Sequence, residues 1–396
     1  MAVKTICFGF DGICCDISFY IQNLPRYRPE LSIKYPFLEP VFNILLADQP
    51  EDCELQFEST MLGFETFFDC IYTLTNISQK KTTYVGSNAA IETVTTMNLL
   101  KDPVYPVNFT KVFFLGNYSD DVSQKLPKEQ RLEPVSLEHA NYVKTSYIPI
   151  SIIIPYRGKR GIISFGGIPA IRRIENLRSY LKNIVSVVNG LNPDLMAIIG
   201  TTNVYATTPD YNDFSLLKPF LNLKCSLVDL GGTIGWEYDR LKRFYQILEK
   251  TKIIIGNDDE FRSWYSFKFG ISIDASDPLT MYKITSKLRG KNQILICHTK
   301  YYQFVLGLES ADREIVKDCM NFANKTTVVK TNMGAFPTAK QVAEVSLKEK
   351  SVQLPELLVA NAIVTRSIDQ EIINPVGLGD VWSCTFCLGL LSQNIL

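Results

Sequence analysis

The chain has 396 residues, 46% of them hydrophobic and 21% charged, and its 41 Lys+Arg balance 41 Asp+Glu to a formal net charge of zero. That length holds one large domain with an insertion, or two domains, around a substantial core. The charge balance leaves no bulk field for nucleic acid or an anionic membrane surface, so an anionic ligand has to be held by a local site.

The first ten residues are a short apolar run ended by Asp11, read here as a buried first strand rather than a signal peptide. No stretch reaches the ~18–20 apolar residues that cross a bilayer. From Cys14 to about Pro40 the chain is rich in Tyr, Pro and Leu without a clean period. Gly86-Ser87-Asn88-Ala89-Ala90 then brings small residues and an amide to the start of a helix-like stretch. Between about Tyr105 and Phe165 the pattern is β-like at Val112–Leu115, Ile148–Pro155 and Gly161–Phe165. The turn Tyr156-Arg157-Gly158-Lys159-Arg160 joins the last two as a hairpin with a basic tip. Such a charge cluster is most simply a solvated hairpin tip.

Further along, apolar runs alternate with helix-period segments. Ile174, Leu177, Leu181, Ile184, Val185 and Val188 recur at helical spacing before the candidate strand Leu195–Gly200. Cys225–Leu230 is the next strand, and Leu241, Phe244, Tyr245 and Leu248 line one face of the helix after it. Ile253–Gly256 and Ile294–Cys297 are two more short runs, apolar throughout as strands buried on both faces are. The pattern predicts an α/β fold with a mostly parallel central sheet flanked by helices, and a smaller β-rich lid. Residues 1–13, 41–104 and 166–396 are assigned to the large nucleotide-binding domain, and 14–40 and 105–165 to the lid.

Ten cysteines and two histidines do not make a zinc site or a disulfide framework by their spacing. Cys384 and Cys387 are a lone Cys-x-x-Cys, and Cys7, Cys225 and Cys297 sit in β-like runs as small hydrophobes. A reducing cytoplasm is the expected compartment.

The chemistry concentrates in Asn374-Pro375-Val376-Gly377-Leu378-Gly379-Asp380, followed by an apolar helix-like stretch. Small residues before a helix make a nest of backbone N–H groups that stabilises anionic charge on a transferring phosphoryl group. Asp380 at its end can take the proton of an attacking hydroxyl; as an N-cap it would need no such role. Asn257 and Glu260 follow a buried strand and can hold a hydrated Mg2+, or simply cap a helix. His298-Thr299 ends another strand, at the edge where ligands gather in open α/β sheets.

Taken in order, these motifs resemble the ADP-dependent sugar kinases, that is, the ADP-dependent glucokinases and phosphofructokinases of the ribokinase-like superfamily. Gly86 to Ala90 is similar to the family's Gly-Gly-x-Ala-Gly, and Leu227–Gly231, with Asp229, to its strand carrying an acidic residue. Asn257 and Glu260 stand at Asn-x-x-Glu, and Val376 to Asp380 at Val-Gly-x-Gly-Asp. The resemblance implies Asp380 as the base, with Gly377 and Gly379 in the anion hole. It implies Asn257, Glu260 and Asp229 around Mg2+, His298 and Val376 near the nucleotide, and Asp11, Gly86 and Asn88 on the sugar. The implied reaction passes the β-phosphoryl group of ADP to glucose or fructose 6-phosphate and releases AMP, a step of glycolysis. The implied partners are small molecules alone, and the implied assembly is a monomer or homodimer.

Four departures from the family's pattern touch the sugar side more than the phosphoryl side. Asp11 replaces an Asn of the first-strand motif, whose final Asp falls one position late at Asp16. Asp229 is shorter than the family's Glu, and Ser87 replaces the second Gly. An ATP-dependent kinase of a nucleoside or other polyol therefore stays open, as does an inactive ligand-binding or regulatory homologue.

Overall fold

The computed structural model describes residues 4–9, 14–48, 50, 53–57, 63–101, 109–142, 150–165, 177–197, 218–221, 223, 225–230, 238–274, 277–333, 336–346, 348–369 and 377–396. In chain order the strands are β1 (Lys4–Phe8), β2 (Cys14–Tyr20), β3 (Cys53–Phe57), β4 (Lys80–Gly86) and β5 (Phe109–Phe114). Then come β6 (Asn117–Tyr118), β7 (Asn141–Tyr142), β8 (Ile150–Tyr156), β9 (Lys159–Phe165) and β10 (Leu195–Ala197). The last five are β11 (Ser226–Asp229), β12 (Ile253–Gly256), β13 (Ile294–His298), β14 (Tyr302–Leu306) and β15 (Ile363–Arg366).

Eight of these form a large sheet in the order β15-β14-β13-β12-β11-β10-β1-β5. From β5 to β13 every pair is parallel, and β14 and β15 add an antiparallel edge. Alternate side chains feed two cores, as the period of a strand requires. Phe8, Leu227, Ile253 and Ile255 pack on one face. Cys7, Val228, Ile254 and Cys297 pack on the other. Covering the first face are the helices Asn88–Leu100, Arg313–Met333 and Leu378–Ser392. Leu177–Leu191, Tyr238–Leu248, Asp258–Phe269 and Pro278–Leu288 cover the second. The helix Leu378–Ser392 is buried at every residue from Asp380 to Leu391, which explains its nearly unbroken apolar sequence.

A second sheet has the order β3-β9-β8-β2-β4. The expected hairpin is its centre: β8 and β9 pair antiparallel through a turn in which Arg157 (φ 49°) and Gly158 (φ 78°) are both left-handed. β2 joins β8 in parallel and β4 antiparallel, and β3 joins β9 in parallel. The smaller sheet thus takes β3 and β4 from the 41–104 stretch assigned on sequence to the large domain. Conversely, β5, from the 105–165 stretch assigned to the lid, is the parallel edge strand beside β1, with Phe113 and Phe114 in opposite cores. The stretch without a period, after β2, folds as the helices Leu24–Lys34 and Glu39–Leu45. Pro29 inside the first of them helps to blur its pattern. Among the described residues no helix is long and apolar enough to cross a membrane.

Candidate active site

The carboxyl ends of the parallel strands share one edge of the large sheet, where α/β folds collect ligands. Asp229 closes β11, Gly256 and Asn257 follow β12, and His298 closes β13. The helix Leu378–Ser392 starts against the same edge. Its N-cap, Gly377, is left-handed (φ 65°), and a Cβ there would lie 3.1 Å from Ile91 Cδ1 and 3.7 Å from Asp380 Oδ2. Glycine is favoured by the backbone, and the space beside it is tight. The amides of Leu378 and Gly379 at the start of this helix have no intrahelical acceptor, which leaves them able to face an anion, while the Asp380 amide is turned to its own carboxylate. A Cβ on Gly379 would reach 3.4 Å from His298 Cε1, so the His298 ring flanks the same turn.

Asp380 is buried, and burial raises its pKa, opposed by the charges of Arg160 and Lys330. Asp229 is raised by burial and then by the Asp380 charge, with the Ser383 hydroxyl and Arg160 working against the shift. Glu92, on the helix Asn88–Leu100, is fully buried, and burial together with Asp380 and Asp229 keeps it well above the usual carboxylate range. Both Glu92 oxygens, Asp229 Oδ2 and Ser383 Oγ lack a well-formed hydrogen bond among the described residues. The base candidate therefore sits among carboxyl groups that hold their protons, with two cations beside it.

His298 packs its ring 5.4 Å from that of Trp382, whose Nε1 donates to Asn324 Oδ1 at 2.9 Å. Burial lowers the His298 pKa to about 4, so the ring is neutral near pH 7, and its buried Nε2 has no partner among the described residues.

Asn257 and Glu260 form a reciprocal capping box: Glu260 N donates to Asn257 Oδ1 at 2.9 Å, and Asn257 N to Glu260 Oε2 at 2.8 Å. The capping reading is thus the geometry present. It leaves the Glu260 carboxylate near Gly256 and Leu230, one residue from Asp229. No three described His, Cys, Asp or Glu side chains converge to hold a metal by themselves. Mg2+ needs less than that, because it keeps several waters and takes one or two carboxylates plus phosphate oxygens. The buried Asp229 Oδ2 would meet that demand once the carboxyl gives up its proton to a bound cation, while the Asn257 amide is engaged as a cap.

Gly86 ends β4 against Asp16 and Cys14, leaving no room for a side chain, and Cys14 Sγ donates to Asp16 Oδ1 at 3.3 Å. Ser87 is left-handed (φ 75°), a conformation glycine adopts freely, and its side chain accepts a 3.4 Å hydrogen bond from Ala90 N. Asn88 opens the helix Asn88–Leu100. Asp11 and Val376 lie outside the described residues.

Three residues at this site were not chosen from the sequence. Arg160 belongs to the basic hairpin, and from β9 it acts on both Asp380 and Asp229. Its neighbour Lys159 pairs with Asp259 Oδ2 at 2.6 Å, tying the hairpin to the helix that Asn257 caps. Lys330 and Glu92 stand out in the sequence only as charges on otherwise buried helix faces, a signal that requires the helix neighbours to be known.

No protein-family model matches the chain, and no curated protein matches it either. Solved structures do. A phosphofructokinase from Pyrococcus horikoshii OT3 with AMP aligns over 99% of this chain and 98% of its own, at 14% identity and TM-score 0.63. An ADP-dependent kinase in complex with fructose-6-phosphate and ADPβS aligns over 99% and 94%, at 14% identity and TM-score 0.68. An adenosine kinase from Schistosoma mansoni in complex with adenosine aligns over 100% and 90%, at 11% identity and TM-score 0.50. The chain thus has the mixed α/β, ribokinase-like fold that the ADP-dependent phosphofructokinases share, with a second, smaller sheet.

Proposed function

We propose that the chain is a kinase that transfers the β-phosphoryl group of ADP to a hydroxyl of a hexose, releasing AMP. The observation that carries this reading is Asp380, buried in the first turn of a helix whose N-cap is a left-handed glycine. A carboxylate and free amides at one helix start supply a base and an anion hole together. Asp380 would take the acceptor's proton as its oxygen attacks phosphorus and the bond to AMP breaks. The amides after Gly377 would hold the phosphoryl oxygens, and Arg160 would offset the charge gathering beside Asp229 and Asp380. His298, neutral and next to Gly379, would border the nucleotide; Val376 would join it there.

A bound Mg2+ would neutralise charge on the donor's phosphates; Asp229 would hold it through its waters, with Glu260 nearby. On the acceptor side the reading assigns Gly86, Asn88 and Asp11. The smaller sheet acts as the lid, because its hairpin reaches the helix Asp258–Phe269 through Lys159 and Asp259. Fructose 6-phosphate and an ADP analogue in a fold-mate support the ADP reading. The adenosine kinase likeness favours a second one, an ATP-dependent kinase of a nucleoside or polyol.

The test is phosphoryl transfer with Mg2+, pairing ADP or ATP with glucose, fructose 6-phosphate, ribose and adenosine. AMP formed with one sugar is the expected result. ADP formed from ATP alone would move the assignment to the second reading, and no transfer in any pair would overturn both.

A further inference from the structure

Lys330 lies in the last turn of the helix Arg313–Met333 and is only 4% exposed. Its ammonium is 4.2 Å from the centroid of the Phe336 ring and 4.9 Å from that of Tyr84, on β4 of the smaller sheet. The rings' faces favour a cation, but they leave its N–H donors unmet. A buried ammonium needs hydrogen-bond or ionic partners. Among the described residues it has no ion pair within 4.0 Å and no hydrogen bond. The charges acting on it are Asp380, the base candidate, and Asp16, on β2 beside Gly86. Asp16 comes from the smaller sheet and Asp380 from the first turn of the helix Leu378–Ser392, and neither lies within ion-pair distance of the ammonium.

We propose that Lys330 is a specificity-determining acceptor residue, donating to a hydroxyl oxygen of a neutral polyol held between Asp16 and Asp380. This rests on the kinase reading of the site and names its acceptor class. Asp16 would accept from the same or a neighbouring hydroxyl, and the hydroxyl facing Asp380 would be the one phosphorylated. A donor and an acceptor side by side match vicinal hydroxyls, each of which gives one hydrogen bond and takes another. Charge points to a neutral compound. The cations acting on Asp380 are Lys330 and Arg160, and Arg160 also faces Asp229 on the donor side. Lys330 is thereby left with two carboxylates, and among the described residues no third cation acts on Asp380 to serve an acceptor phosphate. Burial lowers its pKa to about 8 against the pull of both carboxylates, so it is still mostly charged at pH 7.

The experiment compares wild type with Lys330→Met, which keeps the stem between the rings, and Lys330→Arg, which keeps the charge. The KM values of nucleotide and of glucose, ribose, adenosine and fructose 6-phosphate are measured separately. We expect Lys330→Met to raise the KM of the neutral acceptor about tenfold or more, with the nucleotide KM within about twofold. Lys330→Arg should recover part of the loss. An unchanged acceptor KM, or an equal rise in the nucleotide KM, overturns the proposal. So does a wild type that uses fructose 6-phosphate at least as efficiently as every neutral acceptor. Should Lys330→Met fail to fold by circular dichroism, Asp16→Asn replaces it with the same expectation. If wild type transfers no phosphate at all, the kinase reading fails separately. The inference then rests on the rise in Tm caused by glucose, ribose or adenosine, expected in wild type and absent in Lys330→Met. No rise with any of them overturns it.

Discussion

The two sheets supply the candidate site in different ways. The large sheet brings Asp229 and His298 to one edge simply because parallel strands end together, and burial pushes both toward their neutral forms. The smaller sheet brings charge. Arg160 arrives on β9 and Asp16 on β2, and each acts on a group of the large body: Arg160 on Asp380, Asp16 on Lys330. A scaffold that desolvates its carboxyl groups thus receives from a second element one of the two cations, Arg160 beside its own Lys330, that oppose the rise in the Asp380 pKa. The contrast implies that the charge balance at Asp380, in the first turn of a helix at that edge, depends on the position of the hairpin.

The largest expected effect removes the proposed base. Asp380→Asn keeps the shape and should lower kcat by about 10²–10⁴-fold, without lowering Tm, because a buried carboxyl becomes a neutral amide. Turnover close to wild type would take Asp380 out of the base role and leave the large sheet's edge without its chemistry. The next tests the smaller sheet's share. Arg160→Met should reduce kcat on the order of tenfold to a hundredfold, with Arg160→Lys in between. If kcat stays put, the hairpin is only a solvated tip and the contrast between the sheets collapses.

How far the sequence reveals each sheet follows from the same contrast. Ile253–Gly256 and Ile294–Cys297 are continuous apolar runs because both faces of those strands are buried, and the first falls in register beside β11 and the second beside the first. Gly377, Gly379 and Asp380 are legible because a left-handed N-cap and a closely packed helix start leave small residues at fixed places. Ser87 shows that the place matters more than the residue type: it holds φ 75° where the sugar-kinase pattern has glycine. The smaller sheet is harder to read, since β2, β3, β4, β8 and β9 come from separate stretches and two of its pairings are parallel. Only the local β8–β9 hairpin carried a turn signal. In the sequence Arg160 is one of a charge cluster, and its effect on Asp380 depends on how that hairpin crosses the fold. Lys330 and Glu92 are legible only after the helices are packed.

A pH experiment sharpens the large sheet's side. His298 has a folded-state pKa near 4, below the ordinary 6.5, because burial disfavours its charged form. Keeping it neutral therefore adds nothing to stability losses above about pH 6.5. As pH falls from there toward 4, the unfolded chain takes up a proton that the folded one resists. The native state should lose on the order of 3 kcal/mol through this window, at 1.36 kcal/mol per pKa unit. Denaturant unfolding of wild type should thus weaken more steeply from pH 7 to 4 than that of His298→Gln. Parallel curves would mean that the ring is not held neutral by burial.

The smallest effect lies where the sheets are tied together. Lys159 pairs with Asp259 at 2.6 Å, with side chains 30% and 19% exposed, and Arg262 pairs with the same carboxylate. Burial alone would raise the Asp259 pKa, but these two cations outweigh it and hold the carboxylate below its usual range. Because Arg262 remains when Lys159 is lost, Lys159→Met does not strand a buried charge, and its cost should stay within about 1 kcal/mol. A double-mutant cycle with Asp259→Asn should return a coupling of about 0.5–1 kcal/mol that shrinks at 1 M salt. Coupling in stability alone, with kcat untouched, would make the pair a structural tie. A fall in kcat shared by Lys159→Met and Arg160→Met, and not increased in the double variant, would mean that the tie works by holding Arg160 against Asp380. That second outcome is the one expected if the hairpin's position, rather than its charge in general, completes the base.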